Sequence, residues 1–345
     1  MIYVIVVIAI ALSLAAFAIR KKRVSVEGSI MPQFERVQKG NVPIGKLTRT
    51  QLDEINRMII HKDEKLRVIT YNMLFNICED TLDKAHHWKK RYHRVAKIVD
   101  VINPDIIGSQ EIFQGQADDL MALIGDTYAF YGRDSHDGLN EGMVNGVFYK
   151  KSRYDLLEGK VIFISKTPDI PSRDPYDQMQ FLTVCKFRDI KTKKILVIIN
   201  THLAFYSTDS REYSAHFISD FIESFPHEEP IILTGDFNSF PFRPDIESLP
   251  FYDGDLIDRI ITRKTMKDAM KVAKFGHVGP ISTFTSEEKD KTVIPFRGIG
   301  TPGVILDHIY INNKVEVIAH AVEPAKVGGH FPSDHMPVIA DVYIP

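Results

Sequence analysis

Apolar and polar positions alternate in short runs from residue 65 onwards, and these runs predict both strands and helices. Apolar runs of strand length occur in "LRVITYN", "NGVFYKK", "GKVIFIS", "KILVIINTHL", "PIILTGD", "VILDHIYIN" and "HMPVIADVYI". Three other stretches, "WKKRYHRVAKIVDVI", "QADDLMALIG" and "SREYSAHFISDFIESF", repeat apolar residues at helical spacing. Some strands follow helices, whereas the strands within 183–203 form a predicted hairpin. We therefore predict one layered α/β domain with mixed sheets over residues 64–345.

The first residues follow a different pattern. Residues 2–19 are apolar or small except for Ser13, and the basic run "RKKR" follows at 20–23. That length is close to the minimum for a bilayer-spanning helix, and basic residues mark the cytoplasmic side. We expect residues 1–20 to be a single-pass transmembrane anchor with a cytoplasmic body. A cleaved signal peptide with "AFA" as its cleavage site, or an anchor with the body outside, is the alternative.

Residues 21–63 are polar, contain scattered Gly and Pro, and show little periodicity. We interpret them as a juxtamembrane connection that contains one short helix over 48–60. Its apolar residues would lie on one face of the helix.

Composition excludes several classes of protein. The formal net charge is −2, which lacks the global basic bias of a non-specific nucleic-acid binder. The two cysteines, Cys78 and Cys185, have no CxxC spacing, so a disulfide scaffold or a cysteine zinc site is not expected. No Gly-rich phosphate loop of the GxGxxG or GxxxxGK[ST] type is present.

Polar residues with catalytic chemistry stand where apolar runs stop. They are Asn72, Glu111, His202, Asp236, Asn238, Asp307 and the pair Asp334–His335. Each of them alone has an ordinary structural explanation, because Asp and Asn are common turn residues and most histidines beside strands are structural. Together, the carboxylates would repel one another unless a cation neutralised them. Carboxylate and amide oxygens suit Mg²⁺ or Mn²⁺, and histidines transfer protons near neutral pH. This set favours metal-assisted hydrolysis of a phosphoester.

The motifs "TYNML", "SQEI", "NTHL", "TGDFNS", "LDHIYI" and "PSDHMPV" occur in the order seen in the endonuclease/exonuclease/phosphatase superfamily. The chain resembles this family over residues 65–345. "WKKR" and "SREYSAHFI" further resemble landmarks of a bacterial subgroup, here membrane-anchored. The resemblance implies a four-layer α/β sandwich in which two packed mixed sheets are flanked by helices. With the anchor, the predicted fold has one transmembrane helix before this domain.

The resemblance also implies roles for the matching residues. Glu111 resembles the principal metal ligand, Asn72 the amide beside the metal, and Asp334 a further acid there. Asn238 and His202 resemble residues that hold the phosphate, and His202 resembles the group that protonates the leaving group.

Asp236 resembles the acid that orients or deprotonates water, and His335 the catalytic histidine that Asp307 orients. Whether Asp236 or His335 is the general base stays open, as does the number of metal ions. A coupled acid–histidine pair does not allow a single assignment from sequence.

We expect a monomeric Mg²⁺- or Mn²⁺-dependent hydrolase of a phosphomonoester or phosphodiester. Its substrate would be a nucleic acid, a phospholipid or a sugar phosphate, and Arg297 is a further candidate for contacting the phosphate. The alternative function is a catalytically idle, membrane-tethered binding module of the same fold. The presence of all six motifs favours the enzyme.

Overall fold

The computed structural model describes residues 25–38, 64–77, 84–135, 142–249, 251–285 and 303–345. The predicted anchor, the predicted helix over 48–60, Cys78 and Arg297 lie outside these ranges. Within them, none of the helices combines the length and the apolar character that crossing a membrane requires.

Two mixed β-sheets form the centre of the fold. The strands are β1 Val26–Glu27, β2 Leu66–Asn72, β3 Ile106–Gln110, β4 Tyr128–Tyr131, β5 Val147–Lys150, β6 Tyr154–Phe163, β7 Phe181–Asp189, β8 Ile195–His202, β9 Ile231–Asp236, β10 Lys267–Asp268, β11 His277–Val278, β12 Asp307–Ile311, β13 Glu316–Val322, β14 Lys326–Val327 and β15 Val338–Tyr343. One sheet has the order β10-β12-β9-β8-β7-β6, and the other β11-β13-β15-β2-β3-β5-β4. Parallel pairs, such as β8 with β9 and β2 with β3, occur beside antiparallel ones.

Helices cover the outer faces of both sheets. They are α1 Met31–Gln38, α2 Trp88–Ile102, α3 Gln114–Ile124, α4 Thr208–Glu223 and α5 Leu256–Ile261. The single turn α6 Ala269–Val272 instead contributes Ala269 to the apolar cluster between the sheets. Helices α2 and α3 pack on the seven-stranded sheet, with Val95 and Leu120 among the buried contacts. Helices α4 and α5 pack on the six-stranded sheet through side chains such as Ile218 and Ile257. The described chain is therefore layered as helices, sheet, sheet and helices, as the sequence predicted for the domain.

The two inner sheet faces pack directly on each other. Val68 and Ile106 on one sheet meet Ile198 and Ile232 on the other in a buried apolar cluster. A Cβ atom added to Gly108 would lie only 2.1 Å from Thr234 Oγ1 on the opposite sheet, so a glycine is required here. This close approach brings the strand ends of both sheets together.

The segment 25–38 is part of the folded body. Strand β1 pairs antiparallel with β14, and Ile30, Met31 and Phe34 are buried in the core beneath the seven-stranded sheet. The buried carboxylate of Glu323 accepts hydrogen bonds from the Ser29 hydroxyl and the Ile30 amide, at 2.9 Å and 3.3 Å. Part of the predicted connection therefore packs on the body.

The lysines of the stretch "ITRKTMKDAMKVAK", residues 261–274, predict the solvated face of a helix, but the structure divides this stretch. It contains the end of α5, the strand β10 and the single turn α6. Asp268 begins α6 by accepting a hydrogen bond from the Met270 amide at 2.8 Å. An N-cap within the stretch interrupts the helical pattern.

A buried ion pair joins β2 to β15 at the end of the seven-stranded sheet where β2 begins. Arg67 faces Asp341 directly across the two strands, and Arg67 Nε lies 2.7 Å from Asp341 Oδ1. Lys65 Nζ adds a contact of 2.8 Å to Oδ2. Burial alone would raise the pKa of Asp341, but hydrogen bonds and charges from Arg67 and Lys65 hold that pKa below its usual value.

We predict that Arg67→Met lowers the free energy of unfolding by about 3–5 kcal/mol, because it leaves the Asp341 charge buried without its main partner. The matched control is Arg188→Met, which breaks the exposed pair with Asp155 and should cost less than about 1 kcal/mol. Urea unfolding at neutral pH measures both values. Equal losses in the two variants would contradict this account of the buried pair.

Asp341 also makes stability depend on pH. Its pKa is lower in the folded protein than the unfolded value of about 3.9, so the stabilisation is complete above that pH. It is lost as the pH falls through the lower folded value. In urea titrations, the stability difference between the native chain and Asp341→Asn should therefore shrink with acidification below about pH 4. A constant difference down to the acid limit of folding would show that this carboxylate is not the cause.

Candidate active site

The polar residues singled out in the sequence meet at one edge of the sandwich. Strands β2, β8 and β9 end there at Asn72, His202 and Asp236, and β3 ends one residue before Glu111. Strand β12 begins there, with Asp307 directly opposite Asp236. Parallel strands end at the same edge and antiparallel neighbours begin there, so topology alone brings these residues together.

Asp236 lies at the centre of the group and is 1% exposed. Its Oδ2 accepts a hydrogen bond of 2.9 Å from Asn72 Nδ2, which comes from the other sheet. Its Oδ1 accepts one of 3.0 Å from the backbone amide of Asn238. Both oxygens are therefore fixed in direction by donors.

His335 and Asp307 form a buried pair beside Asp236. His335 Nδ1 lies 2.8 Å from Asp307 Oδ2, and its Nε2 lies 3.7 Å from Asp236 Oδ2. Burial opposes the charged imidazole, but the carboxylates of Asp307, Asp236 and Asp334 together raise the pKa of His335 well above its usual value. The pair thus presents one ring nitrogen towards the centre of the site.

Asn238 and His202 form the side of the site beyond Asp236. Asn238 has φ of 47°, a left-handed conformation that asparagine tolerates better than most residues. Its Nδ2 lies 2.9 Å from the Leu203 carbonyl and 3.1 Å from His202 Nε2. Because the amide nitrogen only donates, His202 accepts in this arrangement. The amide thereby fixes the ring of His202 towards the site.

Glu111 lies beside His202 and has strained backbone geometry. Its φ is 54°, which is uncommon for a residue other than glycine and is often kept at functional sites. Glu111 Oε1 lies 3.7 Å from His202 Nε2. Burial raises the pKa of Glu111, the charge of Asp334 raises it further, and His202 opposes the rise. Two carboxylates therefore crowd this side of the site.

The donor atoms fit a hard divalent cation. Ligand atoms of Glu111, His202 and Asp236 lie within 4.8 Å of one another, and so do those of Asp236, Asp307 and His335. Asp307 Oδ1 is buried and has no hydrogen-bond partner within the described part of the chain. Oxygen-rich sets of this kind suit Mg²⁺ or Mn²⁺, and a cation would relieve the crowding of carboxylates.

The structure brings together every predicted site residue that it describes. Asn72 is bonded to Asp236 and also contributes a hydrogen bond to Glu111. Asp334 lies at the rim, and its neighbour Ser333 donates a hydrogen bond of 2.8 Å to the Asn72 carbonyl. The predicted phosphate contact Arg297 falls outside the described residues.

Two buried arginines that the motifs did not assign hold the site loops. The Arg91 guanidinium donates to the carbonyls of Met73, Leu74 and Pro332, and so joins the segment after Asn72 to the segment before Asp334. The sequence marks Arg91 only as an arginine on the apolar face of α2, one turn after Trp88.

Arg211 has the same role on the other side of the site. It donates to the Ala204 and Phe205 carbonyls and pairs with Asp253 at 3.0 Å. Asp253 in turn accepts the Phe240 amide at 2.8 Å. The loops after His202 and after Asn238 are thereby connected.

Thr283 and Phe284 support the pair His335–Asp307. The Thr283 hydroxyl oxygen accepts the amides of Leu306 and Asp307 at 2.9 Å and 3.3 Å. The Phe284 ring stands edge-on to the imidazole of His335, with 5.2 Å between ring centroids. No pattern in the sequence marks these two residues, because their role depends on contacts between distant segments.

Comparison with known proteins agrees with this site and fold. Residues 69–335 match the model of the endonuclease/exonuclease/phosphatase family. Protein angel of Drosophila melanogaster is 26% identical over 220 residues, which are 57% of this chain and 58% of that protein. The chain thus spans little more than half the length of this relative.

Two solved structures share the fold over most of the chain. The endonuclease/exonuclease/phosphatase from Bacteroides vulgatus is 26% identical, with a TM-score of 0.68 over 81% of this chain and 99% of that one. A mannosyl-6-phosphatase from Bacteroides thetaiotaomicron shares the fold at 22% identity, with a TM-score of 0.67 over 81% of this chain and 100% of that one. Because the family model matches the chain from β2 to His335, the chain belongs to the endonuclease/exonuclease/phosphatase family.

Proposed function

We propose that the protein hydrolyses a phosphoester with the help of a divalent cation. The observation that carries the proposal is the position of Asp236, fixed by Asn72 and Asn238 and flanked at 3.7 Å by both His202 and His335. A carboxylate between two imidazoles can orient a water molecule and accept its proton.

The residues divide into two groups around that carboxylate. Asp236 and His335 act as one coupled unit that activates water, and Asp307 holds the imidazole of His335 in direction. Asn238 and His202 lie on the side where they can hold phosphate oxygens. Protonation of His202 at Nε2 would release its hydrogen bond from Asn238 and let this ring protonate the leaving group. Fixed donors of this kind stabilise the charge that develops on phosphate.

Glu111, with Asn72 and Asp334, would hold the cation. When bound, Mg²⁺ or Mn²⁺ would neutralise negative charge on the phosphate. One structural neighbour is named a mannosyl-6-phosphatase, so a sugar phosphate belongs among the substrates to be tested.

We also propose that residues 1–20 anchor the chain in a membrane, with the described body in the cytoplasm. The support is the apolar run and the basic residues that follow it. The full chain should then stay with the membrane fraction after an alkaline carbonate wash, and protease added to intact cells should spare the body. Release of the chain by the wash would contradict the anchor.

We predict that Asp236→Ala and His335→Ala each lower the rate of hydrolysis by about 10²–10⁴-fold, the usual contribution of a proton-transfer group. A panel of bis-p-nitrophenyl phosphate, p-nitrophenyl phosphate, a sugar phosphate and a DNA oligomer measures the rate. His216→Ala is the matched control, since this histidine is exposed on α4 and should keep the native rate. Losses below about tenfold in folded variants would refute the assignment.

Removal of the cation gives a separate test. We expect EDTA to abolish hydrolysis and Mg²⁺ or Mn²⁺ to restore it, and Mn²⁺ to raise the melting temperature of the chain. Glu111→Gln should weaken the thermal shift, whereas Glu228→Gln should leave it unchanged, because Glu228 is exposed before the start of β9, at the opposite end of that strand from Asp236. A chain that is fully active in EDTA would exclude the metal mechanism.

A further inference from the structure

Exposed apolar side chains are concentrated at the edge of the sandwich that contains the active site. The large apolar residues that are more than about a third exposed within the described ranges are Ile77, Leu123, Leu157, Ile170, Tyr176, Tyr206, Phe242, Val272 and Ile281. Single exposed apolar residues are normal on protein surfaces, so their distribution is the informative feature.

Six of these nine residues lie in loops at the active-site edge. Ile77 follows β2, and Ile170 and Tyr176 lie between β6 and β7, which turn at that edge. Tyr206 and Phe242 follow β8 and β9, a few residues after His202 and Asn238. We call these five residues together with Ile281 the apolar rim.

Ile281 completes the rim on the side of β12. Its carbonyl accepts the Gly303 amide at 3.0 Å, and the chain from Gly303 leads directly into β12 at Asp307. The loops that carry the rim therefore come from both sheets and surround the catalytic residues.

Two members of the rim are exceptionally exposed. Tyr206 is 75% exposed and Phe242 is 66% exposed, although both are large aromatic side chains. Tyr206 is supported from beneath by Phe205 and Phe251, with ring centroids 4.8 Å and 5.5 Å away. The ring is thus held outward on an aromatic base instead of folding onto the surface.

The described chain also begins at this edge. The Gly328 amide donates to the Ser25 carbonyl at 3.0 Å, and β1 pairs with β14. Strand β14 lies in the connection between β13 and β15, which ends and begins at the active-site edge. The basic residues 20–23, and before them the apolar run 2–19, precede Ser25 directly in the sequence.

We propose that the active-site edge docks on a lipid bilayer, with the apolar rim inserted among the acyl chains and the catalytic residues facing the headgroups. A polar phosphate site surrounded by outward apolar side chains fits a phosphate at the surface of a lipid layer. The apolar faces of interfacial helices are buried roughly 5–10 Å into this boundary, which is a depth within reach of exposed aromatic side chains. Entry of the chain at the same edge would hold the rim against the membrane.

Burial of apolar side chains, and not attraction between charges, would drive this insertion. The loop between β6 and β7 exposes both signs of charge, with Lys166 and Arg173 offset by Asp169 and Asp177. An interaction driven by buried apolar area should therefore survive high salt, which screens exposed charges.

Depth-dependent quenching tests the proposal. The chain has a single tryptophan, Trp88, which is buried, so a new tryptophan can be read above a constant background. Phe242→Trp and Tyr206→Trp place the probe in the rim. Leu157→Trp is the matched control: residue 157 is also exposed but lies six residues, or about 20 Å, from the end of β6 at the active-site edge.

The full chain carrying each substitution is reconstituted in phosphatidylcholine vesicles whose acyl chains are brominated. We expect the added emission of the Phe242→Trp and Tyr206→Trp variants to be lost relative to unbrominated vesicles, and that of the Leu157→Trp variant to be retained. The loss should persist at high salt. Retained emission at both rim positions, equal loss at position 157, or recovery at high salt would each overturn the proposal.

This inference rests on the proposed function only for the reaction that the docked site would catalyse, the hydrolysis of a phosphoester. Quenching reports docking alone, so a chain that is quenched but inactive towards every phosphoester would refute the hydrolase and leave the docking face. A chain that is active but not quenched would refute the docking face and leave the hydrolase.

Discussion

The carboxylate of Asp236 is the constraint on which the site depends. It is buried between two sheets, and a buried carboxylate is costly unless donors satisfy both of its oxygens. One donor, Asn72, comes from the opposite sheet, and the other is the amide of Asn238 just beyond the strand. The hydrogen bond from Asn72 therefore joins the ends of the two sheets and at the same time directs the carboxylate between His202 and His335.

The rest of the fold preserves that arrangement. Gly108 lets the sheets approach each other closely beneath the site, and Arg91 and Arg211 fix the loops on its two sides through backbone carbonyls. These arginines are buried, and each satisfies its buried donors largely with backbone carbonyl groups. The side chains of the candidate site thus stand on strand ends and on loops that are held by many hydrogen bonds, which is the preorganisation that the proposed hydrolysis would require.

Periodicity predicted a layered α/β domain and showed which polar residues stand at strand ends, whereas the four-layer arrangement and the roles of those residues came from the family resemblance. Strands ended at polar residues, and strand ends of a layered α/β protein lie at one edge, so Glu111, His202 and Asp307 were expected together. Contacts between distant segments carry no such signal. The hydrogen bond from Asn72 to Asp236, the support of His335 by Phe284 and the burial of Phe34 required the folded chain. The stretch 261–274 was misread as one helix because an N-cap at Asp268 divides it.

Anomalous scattering from crystals grown with MnCl₂ and inorganic phosphate would test the central claim most directly. The account predicts a manganese peak beside the carboxylates of Glu111 and Asp334. It also predicts a phosphate within hydrogen-bond distance of Asn238 and His202, with Asp236 still held by Asn72. A manganese ion bound elsewhere, or a phosphate that contacts neither Asn238 nor His202, would contradict it.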